Sequence, residues 1–134
     1  LLTGRYQHRF GFEHNPGRDH LDNPGYGIPA DEPTLAERLR ALGYATGVVG
    51  KWHIGYVPPM TPLEKGFDSF FGTLHGAMAY VPDGPTGLKS LTRNHADSPM
   101  VAHTTEAFAD EAIAFIRKHR ERPFFLYVPF TAVH

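Results

Sequence analysis

Lys51 and His53 are the residues of this chain whose types and spacing could do chemistry most directly. They follow Gly50, which ends a short apolar run. Along an extended segment, alternation would put both on one side, with Trp52 facing away. A cation beside an imidazole at the exit of a buried strand can hold an anionic substrate and move a proton. A surface Lys-x-His pair on a loop has the same spacing, so the surrounding elements must decide between the two.

Those elements read as an α/β pattern. Residues 6 to 33 are rich in Gly, Pro, Asn, Asp and His without periodicity, which predicts a long loop. Thr34 then opens a helix, with Glu37 completing a capping box and Leu35, Leu39 and Leu42 forming an apolar stripe. Gly43 stands where a left-handed residue ends a helix. Tyr44 to Val49 predicts a buried parallel strand, and Gly50 to Gly55 its exit. Residues 56 to 100 hold many turn formers, with Phe67, Phe70 and Phe71 expected to form a local aromatic cluster beneath the loop.

A second helix is predicted from Thr104 to Arg120, with Phe108, Ala112, Phe115 and Ile116 on its buried face. Its basic last turn, Arg117 to Arg120, suits the helix dipole, and the basic cluster Arg117 to Arg122 reads as a solvated helix end. Pro123 stops it, and the nearly all-apolar Phe124 to Val128 predicts a central strand. Helix–strand, insertion, helix–strand places any site beyond the carboxyl ends of the strands.

Composition bounds the function. The chain has 134 residues, 41% hydrophobic and 20% charged, with a formal net charge of −1. That is a globular balance without the basic excess of a nucleic-acid binder, and no apolar run is long enough to span a membrane. The absence of cysteine removes disulfides, thiolate metal sites and a cysteine nucleophile from these residues. The chain opens on Leu1-Leu2-Thr3-Gly4-Arg5 and closes within the exit of a strand, so it is expected to be an internal fragment, inactive by itself.

Four stretches, in order, resemble the sulfatase family. Leu1 to Arg5 is similar to the tail of a first signature, C/S-x-P-S-R-x-x-L-L-T-G-R. Gly43 to His53 resembles a second, G-Y-x-T-x-x-x-G-K-W-H. Pro62 to Gly72 resembles a P-L-x-x-G-F-D-x-F-F-G segment, and Pro123 to His134 a P-F-F-L-Y strand followed by a loop with a substrate histidine. The resemblance implies an alkaline-phosphatase-like α/β fold, residues 1–134 forming part of an N-terminal catalytic domain. It also implies hydrolysis of sulfate esters, on sulfated carbohydrate or an aryl sulfate.

The family's nucleophile is a formylglycine, which would lie upstream of Leu1. Its divalent cation is usually calcium, with ligands also outside these residues, so no residue here is assigned to metal. By position, Lys51 matches a lysine that contacts sulfate and formylglycine. His53 matches a histidine that hydrogen-bonds formylglycine and helps eliminate sulfate. His134 matches one that binds a sulfate oxygen near the leaving group, and Arg5 an arginine that braces the nucleophile loop. His75 and Tyr80 follow the Phe-Phe-Gly segment, where relatives build substrate pocket. His8, His14 and His20 recur every six residues, which is no helical or strand face, and read as solvated loop residues rather than metal ligands.

The implied partners are a sulfated small molecule or carbohydrate and a formylglycine-generating maturation enzyme, with a periplasmic or secreted home. The alternatives are a phosphonate or phosphate monoester hydrolase of the same superfamily and a non-catalytic pseudosulfatase.

Overall fold

The computed structural model describes residues 1–23, 25–82 and 90–133. Its centre is a five-stranded sheet, built from β1 (Ala45–Lys51), β2 (Ser69–Thr73), β3 (Ser90–Arg93), β4 (Ala96–Pro99) and β5 (Phe124–Tyr127), in the order β4-β3-β2-β1-β5. β1 pairs parallel with both β2 and β5, while β3 and β4 extend the sheet as an antiparallel hairpin. Helix α1 (Leu35–Ala41) and helix α2 (Thr104–His119) cover the sheet. Among its described residues, the loop over residues 6 to 33 contains two short 3-10 turns.

The predicted caps of α1 form. Thr34 Oγ1 accepts from Glu37 N at 3.1 Å, and Glu37 Oε2 accepts from Thr34 N at 2.6 Å. At the other end Gly43 takes φ +86°, with Gly43 N donating to Arg40 O and Tyr44 N to Leu39 O. That pair of bonds satisfies the last carbonyls and turns the chain into β1. The apolar stripe does not seat as expected. Ala36 is the buried helical residue, while Leu35 and Leu42 are 42% and 74% exposed. Gly66 explains why: its Cα lies against the Glu37 backbone, so α1 sits too close to the 61–67 segment for a large side chain on that face.

Because β1 is covered on both faces, its side chains alternate between two cores. Val48 joins Phe70, Trp52, Phe67 and Ala36 on the α1 side. Val49 joins Phe71, Leu91 and Phe108 on the α2 side. Phe67, Phe70 and Phe71 therefore form no single local cluster: β2 sends Phe70 and Phe71 to opposite faces.

Three strands in 56–100 escape the sequence reading. β2 is pinned beside β1 by Thr46, whose Oγ1 donates to Gly66 O at 2.8 Å and accepts from Asp68 N at 3.0 Å. The hairpin turn at Asn94, φ +56°, docks back on β2 through Phe70 N donating to Asn94 Oδ1 at 2.9 Å.

α2 buries Thr104, Phe108, Ala112 and Phe115, and Ile116 is 43% exposed rather than buried. A spacing of four, four and three follows a narrow stripe, and Ile116 falls outside it. β5 forms where Phe124 to Tyr127 predicts a strand, but it lies at the edge of the described sheet, not its centre.

Candidate active site

The parallel strands deliver their carboxyl ends to one place. Lys51 N donates to Pro129 O at 2.7 Å, Trp52 N to Thr73 O at 2.8 Å and His53 N to Leu74 O at 3.1 Å. The segment leaving β1 is thus tied on one side to the exit of β5 and on the other to the exit of β2. Gly50 makes the approach possible. It has φ +132°, and a Cβ there would run into the Pro129 carbonyl.

Lys51 is the last residue of β1, and the strand does not continue through His53, which takes φ +54°. Simple alternation therefore does not carry across the pair. A histidine in the left-handed region is uncommon and persists only where its surroundings hold it. Trp52, between them, is buried among Val48, Phe67 and Phe70, and its Nε1 donates to Met60 O at 2.9 Å. It anchors the segment from beneath.

The His53 imidazole is held on two sides. Its Nε2 lies 2.9 Å from Pro16 O, in the long N-terminal loop. A carbonyl oxygen can only accept, so Nε2 carries the proton. Gly76, in the loop after β2, lies flat against the same ring, where a Cβ would approach Nε2 to 2.6 Å. Tyr56 Oη also donates to Pro16 O, at 2.8 Å, and burial pushes this phenol above its ordinary pKa. The Tyr56 ring centroid lies 6.3 Å from that of His53 and 5.2 Å from that of His75.

Lys51 is half-buried, and among the described residues its ammonium makes no hydrogen bond or ion pair. Tyr80 stands further along the same rim. Its Oη donates to Thr131 O at 3.1 Å and its ring stacks on His103 at 5.5 Å. His103 in turn caps α2, Nδ1 accepting from Thr105 N at 3.3 Å. His134 lies outside the described residues.

Arg5 stands apart from this group. It pairs at 2.5 Å with Glu32, a carboxylate buried to 5% exposure. Behind that pair is Lys65, 1% exposed, whose Nζ donates to the carbonyls of Pro29, Ala30 and Glu32. Burial lowers its pKa, against the pull of Glu37, Asp31 and Glu32 in the other direction.

Sequence reasoning missed Tyr56 and Lys65. Tyr56 carries no signal beyond following the Lys-x-His pair by three, and Lys65 reads as one more charge in a turn-rich run. His8 stacks on Tyr6, and His20 on Tyr26 at 3.7 Å. Among the described residues no three His, Asp or Glu side chains converge as metal ligands.

A cavity of about 350 Å³ lies on the other side of Trp52, against Leu2, Ile28, Ile54 and Tyr127. Lys51, His53 and His75 do not line it.

Polar groups gathered at the carboxyl ends of parallel strands stand where α/β folds place their ligand sites. The Sulfatase family model matches residues 1–134, and the chain belongs to that family. It is 33% identical over 144 residues to arylsulfatase J of Mus musculus, covering all of this chain and 24% of that protein. It is 34% identical over 151 residues to N-acetylgalactosamine-6-sulfatase of Homo sapiens, again over the whole chain and 29% of that protein. The chain therefore spans between about a quarter and a third of the curated relatives it matches.

Among solved structures, Ps i-CgsB in complex with k-i-k-neocarrahexaose superposes with a TM-score of 0.88 at 30% identity, over 99% of this chain and 33% of that one. The PsFucS1 sulfatase from Pseudoalteromonas sp. shares the fold at a TM-score of 0.71 and 22% identity, over 99% of this chain and 32% of that one. The fold is the alkaline-phosphatase-like α/β fold of these neighbours. No described helix is long and apolar enough to cross a membrane.

Proposed function

We propose that the intact protein is a sulfuric ester hydrolase acting on sulfated carbohydrate, and that residues 1–134 are part of its N-terminal catalytic domain. The observation that carries this reading is the Lys51–His53 segment, fastened between the exits of β2 and β5. A sulfate monoester is anionic, and charge builds on the bridging oxygen as the S–O bond breaks. The half-buried Lys51 ammonium is a fixed cation for that charge, and losing one such donor typically costs roughly 2.7–4 kcal/mol of transition-state stabilisation. His53 is the group that passes a proton, a role contributing on the order of 10²–10⁴-fold.

His134 is proposed to bind a sulfate oxygen, His75 and Tyr80 to line the substrate pocket, and Arg5 to brace the segment before it. The Arg5–Glu32 pair supports that last role, because the buried Glu32 gives the guanidinium a fixed point. Membership in the family supports a formylglycine nucleophile and a divalent cation supplied by other parts of the protein, a maturation enzyme that makes the formylglycine, and a periplasmic or secreted setting. The carbohydrate assignment is supported by the relative named for N-acetylgalactosamine-6-sulfate and by the neighbour complexed with neocarrahexaose.

The test is to assay the intact protein on sulfated oligosaccharides and an aryl sulfate beside the matched phosphate esters. Sulfate release with kcat/KM at least tenfold above phosphate release is the expected result. A preference for phosphate would make it a phosphomonoesterase of the same fold. Tight binding of the sulfated sugar without release would make it a pseudoenzyme.

A further inference from the structure

Pro16 is a buried point in an otherwise mostly exposed stretch, and its carbonyl oxygen accepts two hydrogen bonds. One comes from His53 Nε2 at 2.9 Å and the other from Tyr56 Oη at 2.8 Å. A carbonyl has two lone pairs, so this oxygen is filled by the two donors. We propose that Tyr56 is a positioning residue for His53: by holding the Pro16 carbonyl it fixes the imidazole as the Nε2–H tautomer, with Nδ1 as the nitrogen that exchanges the reaction's proton. This deepens the hydrolase reading above and rests on His53 being its proton carrier.

The geometry leaves the ring little alternative. With the proton on Nδ1, the Nε2 lone pair would face the Pro16 oxygen, and two acceptors would oppose each other. Rotation of the ring is hindered by Gly76, whose backbone lies against it. The left-handed backbone at His53, φ +54°, is uncommon outside glycine and is consistent with such restraint. Tyr56 restrains both partners, because its ring lies beside His53 while its hydroxyl reaches past to the loop. The phenol stays protonated through neutral and mildly alkaline pH, because burial raises its pKa, so it remains a donor wherever the enzyme would work.

In the proton step, a new Nδ1–H bond forms as the O–H bond of the reacting hydroxyl breaks. The reverse transfer returns that proton to oxygen, and Nε2–H is unchanged throughout. A histidine whose tautomer is set in advance has only one nitrogen to offer, which removes a non-productive population from the resting enzyme.

The experiment uses the intact protein labelled with ¹⁵N at histidine, as wild type and as Tyr56→Phe, which keeps the ring and removes the hydroxyl. Imidazole ¹⁵N shifts report the His53 tautomer, and steady-state hydrolysis of a sulfated sugar gives kcat and KM. The expected result is Nε2–H alone in the wild type and a mixture of tautomers in Tyr56→Phe. With it, kcat should drop about three- to tenfold and KM stay within about twofold, the scale of one lost hydrogen bond.

A wild type carrying the proton on Nδ1 would overturn the proposal without any variant. So would a Tyr56→Phe protein with an unchanged tautomer and kcat. Wild-type protein that hydrolyses no sulfate ester would defeat the hydrolase reading instead, while the tautomer spectra would still decide the role of Tyr56.

Discussion

Two lysines, fourteen positions apart, show opposite uses of one side chain. Lys65 is enclosed, its three donors matched to the carbonyls of Pro29, Ala30 and Glu32. Lys51 stands half-exposed where β1 ends, and among the described residues it makes no hydrogen bond or ion pair. A buried cation with every donor satisfied is committed to the fold. A cation held in place by its backbone but not by its ammonium is available to a ligand. The difference lies in what the neighbouring backbone offers: a turn with its carbonyls aimed inward at Lys65, and beside Lys51 three carbonyls at the exits of β5 and β2 already taken by the amides of residues 51–53.

Exchanging each lysine separates these roles. Lys51→Ala in the intact protein should lower kcat on a sulfate ester by about 10²–10³-fold, with the melting temperature almost unchanged. Near-normal turnover would remove Lys51 from the site.

Lys65→Met should do the reverse, since it leaves three inward carbonyls without a donor. A loss of about 3 kcal/mol in chemical denaturation is expected, with kcat of the folded protein little altered. If instead turnover collapses while stability holds, the contrast between the two lysines is wrong.

Thr34→Ala tests the same side of the molecule more gently. It removes the α1 cap and the bond from Thr34 Oγ1 to Lys65 O, for a loss of about 1–2 kcal/mol. A cost below a few tenths would show that the 29–37 region is held by Lys65 alone.

The smallest effect is at the far end of α2. His119 is held below its ordinary pKa by burial against Phe115, then by Lys118 and Arg122, with Asp68 opposing. In acid the folded state therefore binds fewer protons here than the unfolded chain. Stability should rise as pH climbs from the lowered value to the ordinary histidine range, then level off. His119→Gln should flatten that slope below the ordinary histidine range in a melting series, and an unaltered slope would assign it elsewhere.

Local chemistry was readable from the residues, and long-range pairing was not. The capping box at Thr34 and Glu37, the glycine stop at Gly43 and the Pro123 break are each set within a few residues, and all formed as expected. β2, β3 and β4 were hidden because each spans only four or five residues among turn formers, so periodicity had no length over which to show.

The apolar run at Phe124 correctly implied a strand. Its place in the sheet depends on which strands flank it, and no local pattern encodes that. At the candidate site, Lys51 and His53 are proposed from their types and spacing. Tyr56 is not, because its importance comes from Pro16, forty residues earlier in the chain.

Val48 and Val49 are covalent neighbours that β1 sends to different cores. In energetic terms they should behave as strangers. Truncating both to Ala should cost the sum of the single losses to within about 0.5 kcal/mol, whereas Val49 and its strand-partner Phe71 should depart from additivity by more. The sheet thus acts as a partition, so that damage on the α1 side, where Trp52 anchors the Lys51–His53 segment, is insulated from damage beneath α2.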